Sequence, residues 1–229
     1  MFEVTGLRSG YGQSEVIKAL DLQVGDNETL AIMGRNGMGK TTLFKTLMGL
    51  IEAREGCIAL NGSDLTTQPT HKRVAGGMAY VPQGRMIFPG LTVMENISTG
   101  LETVRSKRIP DEIFDLFPVL HEMRHRKGGN LSGGQQQQLA IARALVSNPE
   151  VLLLDEPTEG IQPSIIKDIA KTLNEISQMR QIAIVVSEQI LSFTMEIADR
   201  LMVIESGRIV YEAPRSECDE QTISRFLSV

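Results

Sequence analysis

The spacing of apolar and polar positions changes several times along the chain, and each change marks an element. Near the start, "FEVTGLRSGYG" and "VIKALDLQV" read as strand-like stretches with turn residues between them. Residues 29–34, "TLAIMG", form a short apolar run that ends in glycine, and "KTTLFKTLMGL" follows with helical spacing. The order is strand, loop, helix. "CIALNG" and "MAYVPQ" predict further short strands, and the pattern from about 92 to 147 is helical. "VLLLD" (151–155) and "IAIVVS" (182–187) are continuous apolar runs of the kind buried on both faces. Between them, "PSIIKDIAKTLNEISQ" places Pro163 at a first helical position, with Ile165, Ile166, Ile169, Leu173 and Ile176 on one face. "LMVIESGRIVY" predicts a hairpin turning at Ser206 and Gly207. "APRSECDEQTISRFLSV" predicts a turn and a short helix that packs on the core or on a dimer partner.

Continuous apolar strands alternating with helices predict an α/β fold, a parallel sheet covered on both faces. The helical middle predicts an inserted subdomain over about 85–148. The remainder, about 1–84 and 149–229, forms the core, with an N-terminal β part. No repeat and no Pro/Gly/Ser-rich linker divides the sequence, so one domain over 1–229 is expected.

Composition narrows the classes. With 229 residues, 41% hydrophobic and 22% charged, the chain can bury a sizeable core. A net charge of −5 argues against a nucleic-acid partner bound by phosphate neutralisation. The basic stretch "MRHRKGG" (123–129) reads as a solvated loop. No apolar run is long enough to span a bilayer, and no signal-peptide pattern stands at the N-terminus. Cys57 and Cys218 lack CxxC or Cys/His spacing, which favours reduced thiols over a disulfide or metal site. The histidines are His71, His121 and His125.

The candidate chemistry begins at "GRNGMGKTT". Gly34, then Arg35, Asn36, Gly37 and Met38, then Gly39-Lys40-Thr41-Thr42 match the spacing of a phosphate-binding loop. Glycines let backbone N–H groups turn inward around phosphate oxygens, and the following helix adds its positive end. Lys40 is expected on the β- and γ-phosphates and Thr41 on Mg²⁺. A surface glycine turn is the competing reading, but the preceding strand and following helix favour the phosphate loop. "VLLLDEP" ends a strand in Asp155 and Glu156. Asp155 lies on the ligand side of a parallel sheet and is expected to hold Mg²⁺ through water, opposite Thr41. Glu156 is placed to orient, or take a proton from, an attacking water.

"NLSGGQQQQLAIARAL" (130–145) reads as a helix capped by Asn130 or Ser132, with Leu139, Ala142 and Leu145 on one face. Ser132, Gly133 and Gly134 present a hydroxyl and N–H groups at the helix start, a second anion site. Gln136 to Gln138 read only as helix formers with a polar face.

"LSGGQ" at 131–135, standing between a phosphate loop and "VLLLDEP", resembles the signature of ABC-type ATPases over essentially the whole chain. The resemblance implies an α/β P-loop core with a mixed or parallel sheet, an antiparallel N-terminal β subdomain and an inserted α-helical subdomain, with ATP and Mg²⁺ as ligands. It implies that Tyr11 stacks on adenine and that Gln83 senses Mg²⁺ and the attacking water. It also implies that Ser132, Gly133, Gly134 and Gln135 contact the γ-phosphate held by a second subunit, in a head-to-tail dimer. Two positions depart from the family pattern. Gln162 stands where aspartate is usual, and Gln189 where histidine is usual. Gln189 can donate a hydrogen bond but cannot carry charge, so the chemistry is assigned mainly to Glu156 and a positioning role to Gln189.

With no spanning segment, the resemblance implies a peripheral motor on the cytoplasmic face of a membrane. Its partners would be separate permease subunits, a second ATPase subunit in a heterodimer (a homodimer being the alternative), and indirectly an extracytoplasmic solute-binding protein. Met86, Ile87, Phe88 and Leu91 form either a groove for a short permease helix or subdomain core. "GRNGMGKTTL", "VPQGR", "LSGGQQQQLAIARAL" and "DEPTEGIQPSII" are similar to the urea and short-amide branch of the branched-chain amino acid importers. The amino acid branch itself is the alternative. A soluble ABC ATPase on DNA or ribosomes is disfavoured by the single domain and the acidity, and a P-loop kinase or GTPase by the "LSGGQ" segment.

Overall fold

A computed structural model describes residues 1–104 and 107–227. The chain begins with β1 (Phe2–Tyr11) and β2 (Ser14–Val24), an antiparallel pair closing at Tyr11 opposite Ser14. The apolar run seen in the sequence becomes β3 (Thr29–Met33), and α1 (Lys40–Leu47) follows its loop. Next come β4 (Ala53–Leu60), β5 (Ser63–Asp64), α2 (Thr70–Ala75) and β6 (Met78–Val81). The helical middle contains α3 (Val93–Thr99), α4 (Asp111–Leu116), α5 (Pro118–Glu122) and α6 (Gly133–Leu145). The rest alternates: β7 (Val151–Asp155), α7 (Pro163–Arg180), β8 (Ala183–Glu188), α8 (Leu191–Ile197), β9 (Arg200–Glu205), β10 (Arg208–Pro214) and α9 (Glu220–Leu227).

Two sheets form. The smaller has the order β2-β1-β4-β5 and is antiparallel. The larger runs β10-β9-β3-β8-β7-β6, with β10 antiparallel and the other pairings parallel. The fold is therefore mixed α/β with an antiparallel N-terminal sheet, as the sequence predicts.

The continuous apolar strands are explained by two cores on opposite faces of the larger sheet. Successive side chains on a strand point to opposite faces. Ala31, Met33, Leu152, Leu154, Ile184 and Val186 face the core built with α6, α7 and α8. Leu30, Ile32, Val151, Leu153 and Val185 face the other core, which includes Leu43 and Phe44 of α1 and Val4 and Leu22 of the small sheet. Pro163 is the first residue of α7, and Ile169, Leu173 and Ile176 are buried while Ile165 and Ile166 are half-buried. The hairpin turn falls at Ser206-Gly207 as expected. In α9, Ile223 is buried and Phe226 and Leu227 pack on the core, so the short C-terminal helix docks on its own chain.

One buried charge holds the helix after the phosphate loop. Arg73 is 2% exposed, and its guanidinium grips carbonyls at the end of α1. Nη1 donates to Thr46 O (2.8 Å) and Leu47 O (2.7 Å), Nε to Gln68 O (2.8 Å) and Nη2 to Thr66 O (2.7 Å). A cation at the negative end of a helix is favourable, and it satisfies carbonyls that the helix leaves open. Burial pulls the Arg73 pKa down, and Asp64 partly opposes this.

Arg73→Met keeps much of the volume but removes the guanidinium donors, leaving Thr46 O only its bond from Gly49 N (2.9 Å) and depriving Leu47 O, Gln68 O and Thr66 O of theirs. It should lower unfolding stability by about 2–4 kcal/mol in a urea titration. A loss below about 0.5 kcal/mol, the scale of an inert surface change, would remove this account of how α1 is anchored.

Candidate active site

The parallel order β3-β8-β7-β6 brings four sequence-distant loops to one edge of the sheet. Ligand sites in such sheets lie beyond the carboxyl ends of the strands. Gly34 follows β3, Gln189 follows β8, Asp155 and Glu156 end β7, and Gln83 follows β6. Register aligns these ends, since Met33 pairs with Glu188 and Asp155 with Ser187.

The phosphate loop is built for backbone donation. Gly39 caps α1 with φ of 110°, a conformation that side chains rarely adopt. Lys40 folds back over the loop and donates to Gly34 O (2.6 Å) and Arg35 O (3.1 Å). A cleft of about 310 Å³ opens there, lined by Val16, Asn36, Gly37, Gly39, Lys40, Thr41, Thr42, Gln83 and Glu156. Met38 turns away instead: its O accepts from Gly207 N (3.0 Å) and its sulfur lies 3.4 Å from Ser206 N. A larger groove of about 710 Å³ near Glu3, Asp21, Glu28 and Arg200 contains none of the predicted site residues.

Glu156 is the meeting point. Its backbone is left-handed (φ 48°), which sets the carboxylate beside the phosphate loop. Lys40 Nζ lies 3.0 Å from its Oε1, with both side chains buried. Gln189 Nε2 donates to the same oxygen (3.1 Å) and Gln83 Nε2 to Oε2 (3.2 Å). Gln189 Nε2 also donates to Asn36 Oδ1 on the phosphate loop (2.8 Å). The backbone of Glu156 is held by β8, since its N donates to Ser187 O (3.0 Å) and Ser187 Oγ (3.2 Å).

Asp155 sits next to it, facing Thr41. Thr41 Oγ1 donates to Oδ1 (3.4 Å), Ser187 Oγ to Oδ1 (2.6 Å) and Tyr80 Oη to Oδ2 (3.2 Å). Burial pushes the Asp155 pKa up, while these three hydrogen bonds pull it back and the neighbouring Glu156 raises it again. Tyr80 is raised far above the usual phenol range by burial and by the Asp155 charge. The loop fits a polyphosphate, with N–H groups, a buried ammonium and a helix N-terminus at one cleft. Thr41, Asp155 and Gln83 supply oxygen donors, the chemistry a hard divalent cation takes.

The signature segment stands apart from this cleft. Ser132 is the N-cap of α6, with a reciprocal capping box: Gln135 N donates to Ser132 Oγ (3.3 Å) and Ser132 N to Gln135 Oε1 (2.9 Å). Gln135 N is therefore used by the cap, whereas Gly133 and Gly134 stand in the first turn, where N–H groups have no partner within the helix. Gly134 must lack a side chain: a Cβ there would come 2.4 Å from Ile165 Cγ2. The Arg85 guanidinium donates to Glu159 O (2.9 Å) and lies beside Gly133 and Gly160.

The remaining glutamines are more than helix formers. Gln136 Nε2 reaches Gly128 O and Leu131 O (both 3.3 Å), tying the preceding loop to α6. Gln137 is buried, so the polar-face expectation fails there, and its Nε2 has no hydrogen-bond partner. Tyr11, at the tip of the β1–β2 hairpin, is 52% exposed and does not line the phosphate cleft. Gln162 is the N-cap of α7, with no side-chain capping bond.

Sequence reasoning missed Tyr80, Ser187, Thr158 and Glu188. Ser187, Thr158 and Glu188 lie within two residues of a predicted site position and Tyr80 lies three before Gln83; Tyr80, Ser187 and Glu188 are polar at or next to the end of an apolar run. That was the available signal. Around the proposed groove the four apolar residues divide. Met86 (67%) and Phe88 (48%) are exposed and line a cleft of about 450 Å³ with Val74, Pro82 and Arg143. Ile87 instead packs on the core, and Leu91 is half-buried.

With this geometry in view, comparison with known proteins is consistent with it. The family model described as ABC transporter matches residues 17–159. The probable branched-chain amino acid transport ATP-binding protein LivF of Archaeoglobus fulgidus is 35% identical, covering 95% of this chain and 93% of that one. The high-affinity branched-chain amino acid transport ATP-binding protein BraG of Pseudomonas aeruginosa is 36% identical over 87% of each. The lipopolysaccharide export system ATP-binding protein LptB of Haemophilus influenzae is 32% identical, covering 96% and 93%. Among solved structures, an ATP-binding subunit of an ABC transporter superposes with a TM-score of 0.84 at 25% identity, covering 99% of both chains. Phosphate loop, paired carboxylates and signature helix thus occur on the expected scaffold, and the chain belongs to the ABC transporter family, as one of its ATPases.

Proposed function

We propose that the chain is the ATP-hydrolysing motor of a membrane importer of the branched-chain amino acid type, working as a head-to-tail dimer with separate permease subunits. The observation that carries the hydrolytic part is the convergence of Lys40, Gln83 and Gln189 on the Glu156 carboxylate, beside Asp155 and Thr41. The import part is supported by two relatives named for branched-chain amino acid transport. The urea and short-amide branch finds no such support among the relatives described, so the amino acid branch is the better reading. The lipopolysaccharide export relative supports a second reading, an exporter motor of the same mechanism.

Lys40 has two competing acceptors in this reading, the Glu156 carboxylate and a nucleotide phosphate. Its transfer to phosphate frees Glu156 Oε1 for a water molecule. Glu156 then takes a proton as the water oxygen bonds to the γ-phosphorus and the bond to the leaving ADP oxygen breaks. Thr41, Asp155 and Gln83 would hold Mg²⁺, which when bound stabilises charge on the phosphate oxygens. Gln189 orients Glu156 against Asn36 without adding charge. Tyr11 is an exposed ring suited to stacking on a base. Ser132, Gly133, Gly134 and Gln135 do not line the phosphate cleft of their own chain, which supports their use on a partner's nucleotide. The exposed Met86 and Phe88, with Arg143 over the Phe88 ring at 5.5 Å, offer an amphipathic groove to a permease helix. Among the described residues no helix is long and apolar enough to cross a membrane; relatives named as transport ATP-binding proteins support peripheral attachment to a membrane, which we place on the cytoplasmic face.

Three measurements check this reading. Glu156→Gln should cut ATP turnover by about 10²-fold or more, the range of general-base loss. The same variant should bind nucleotide at least as tightly as the wild type, because Lys40 loses a competing anion. Near-normal turnover would exclude Glu156 as the base. Ser132→Arg should leave ATP binding to the single chain intact while abolishing ATP-driven dimerisation and turnover, as read by gel filtration and phosphate release. Retained turnover would exclude a shared site. Purification from native membranes should bring down permease subunits and a binding protein that takes branched-chain amino acids in calorimetry. A urea-binding partner or a lipid-export partner would replace the cargo assignment.

A further inference from the structure

The catalytic account uses Glu156 and Gln189 but leaves one buried carboxylate unexplained. Glu188, the last residue of β8, is 2% exposed. A carboxylate removed from water is costly unless donors replace the solvent. Here four donors converge on its two oxygens, and they come from two different loops. Oε1 accepts from Thr158 N (3.0 Å) and from Thr158 Oγ1. Oε2 accepts from Gln189 N (2.8 Å) and Ile190 N (3.4 Å). Thr158 is itself buried, two residues beyond Glu156.

The geometry points to Glu188 as a positioning residue for hydrolysis, fastening the loop after Glu156 to the loop that carries Gln189. The inference rests on the reading that Glu156 is the base. Gln189 has a flexible side chain and no charge to steer it, yet its Nε2 must meet both Glu156 Oε1 and Asn36 Oδ1. Fixing its backbone N–H fixes the root of that side chain. Fixing Thr158 holds the turn that keeps Glu156 in its left-handed conformation. One side chain therefore sets the distance between base and orienting amide. Histidine, usual at position 189 in the resemblance noted above, carries its own polar ring on a shorter side chain. Glutamine needs the lock more.

Only a carboxylate suits this place. Glu188→Gln is isosteric, but its NH₂ must face either the Thr158 donors or the N–H groups of Gln189 and Ile190. Two donors then oppose each other whichever way the amide turns.

The test is ATP turnover of the purified transporter complex, with nucleotide affinity and melting temperature measured alongside. Glu188→Gln should lower kcat about 10- to 100-fold, the scale of a mispositioned reacting group, while nucleotide affinity changes by less than about threefold. Positioning also requires non-additivity. Gln189→Ala should slow the wild type but cause no further loss in the Glu188→Gln background. A merely structural role would make the two losses multiply, and that result, or an unchanged kcat, overturns the inference. If Glu188→Gln does not fold, Thr158→Val removes a single donor and must show a smaller kcat loss with the same non-additivity; unchanged kcat there overturns it equally. Glu156→Gln in the same assay separates the two proposals. If that variant keeps its turnover, the base assignment fails. If it loses turnover while Glu188→Gln does not, only the lock fails.

Discussion

The parallel pairing of β7 with β8, ending in Asp155 opposite Ser187, is the constraint on which the site depends. It places Asp155 and Glu156 beside Ser187 and Glu188 at one level of one sheet edge. The flanking strands β3 and β6 deliver the phosphate loop and Gln83 to the same edge. Ser187 Oγ then serves both partners, donating to Asp155 and accepting from Glu156 N. A slip of one residue between these strands would reverse which face each side chain meets and separate the two cores as well as the site. The register is therefore enforced by the burial of alternate side chains on both faces, and the site inherits its precision from the core.

A second dependence runs along α1. Its positive end opens toward the phosphate loop, and its negative end is gripped by the buried Arg73 guanidinium. The helix is short, from Lys40 to Leu47, so tertiary contacts rather than propensity must hold it. Leu43, Phe44 and Leu47 are fully buried and supply that packing. Lys40 and Thr41 are therefore carried on a helix packed along one face and clamped at its C-terminal end.

The polar groups at the sheet edge illustrate why buried charge is tolerated here. Lys40, Asp155, Glu156 and Glu188 are all nearly excluded from water. Each has several hydrogen-bond partners, and the partners are shared, so removing one member disturbs others. A site of this kind sacrifices some stability to hold charged groups ready, and the large hydrophobic cores on either side of the sheet offset that cost.

Much of this was legible in the sequence because it is encoded locally. The run "TLAIMG" before "GRNGMGKTT", the strand "VLLLDEP" and the cap at Ser132 each carry spacing whose meaning does not depend on distant residues. Fold class, phosphate loop and acidic pair follow from them. Contacts between segments far apart in the chain were not legible. Nothing in the sequence around Glu188 says that its carboxylate meets Thr158, 30 residues away, or that Arg73 caps α1. Met86 and Phe88 could not be separated from Ile87 by hydrophobicity, since only packing decides which apolar residue is covered. Gln137 looked like its neighbours and is buried for the same reason. The sequence alone marked the phosphate loop, the acidic pair and the cap at Ser132 as candidate chemistry, because residue type and local spacing set chemistry and secondary structure. Only the tertiary structure decided which of those groups touch, because contact depends on strand order, register and the shape of the surrounding core.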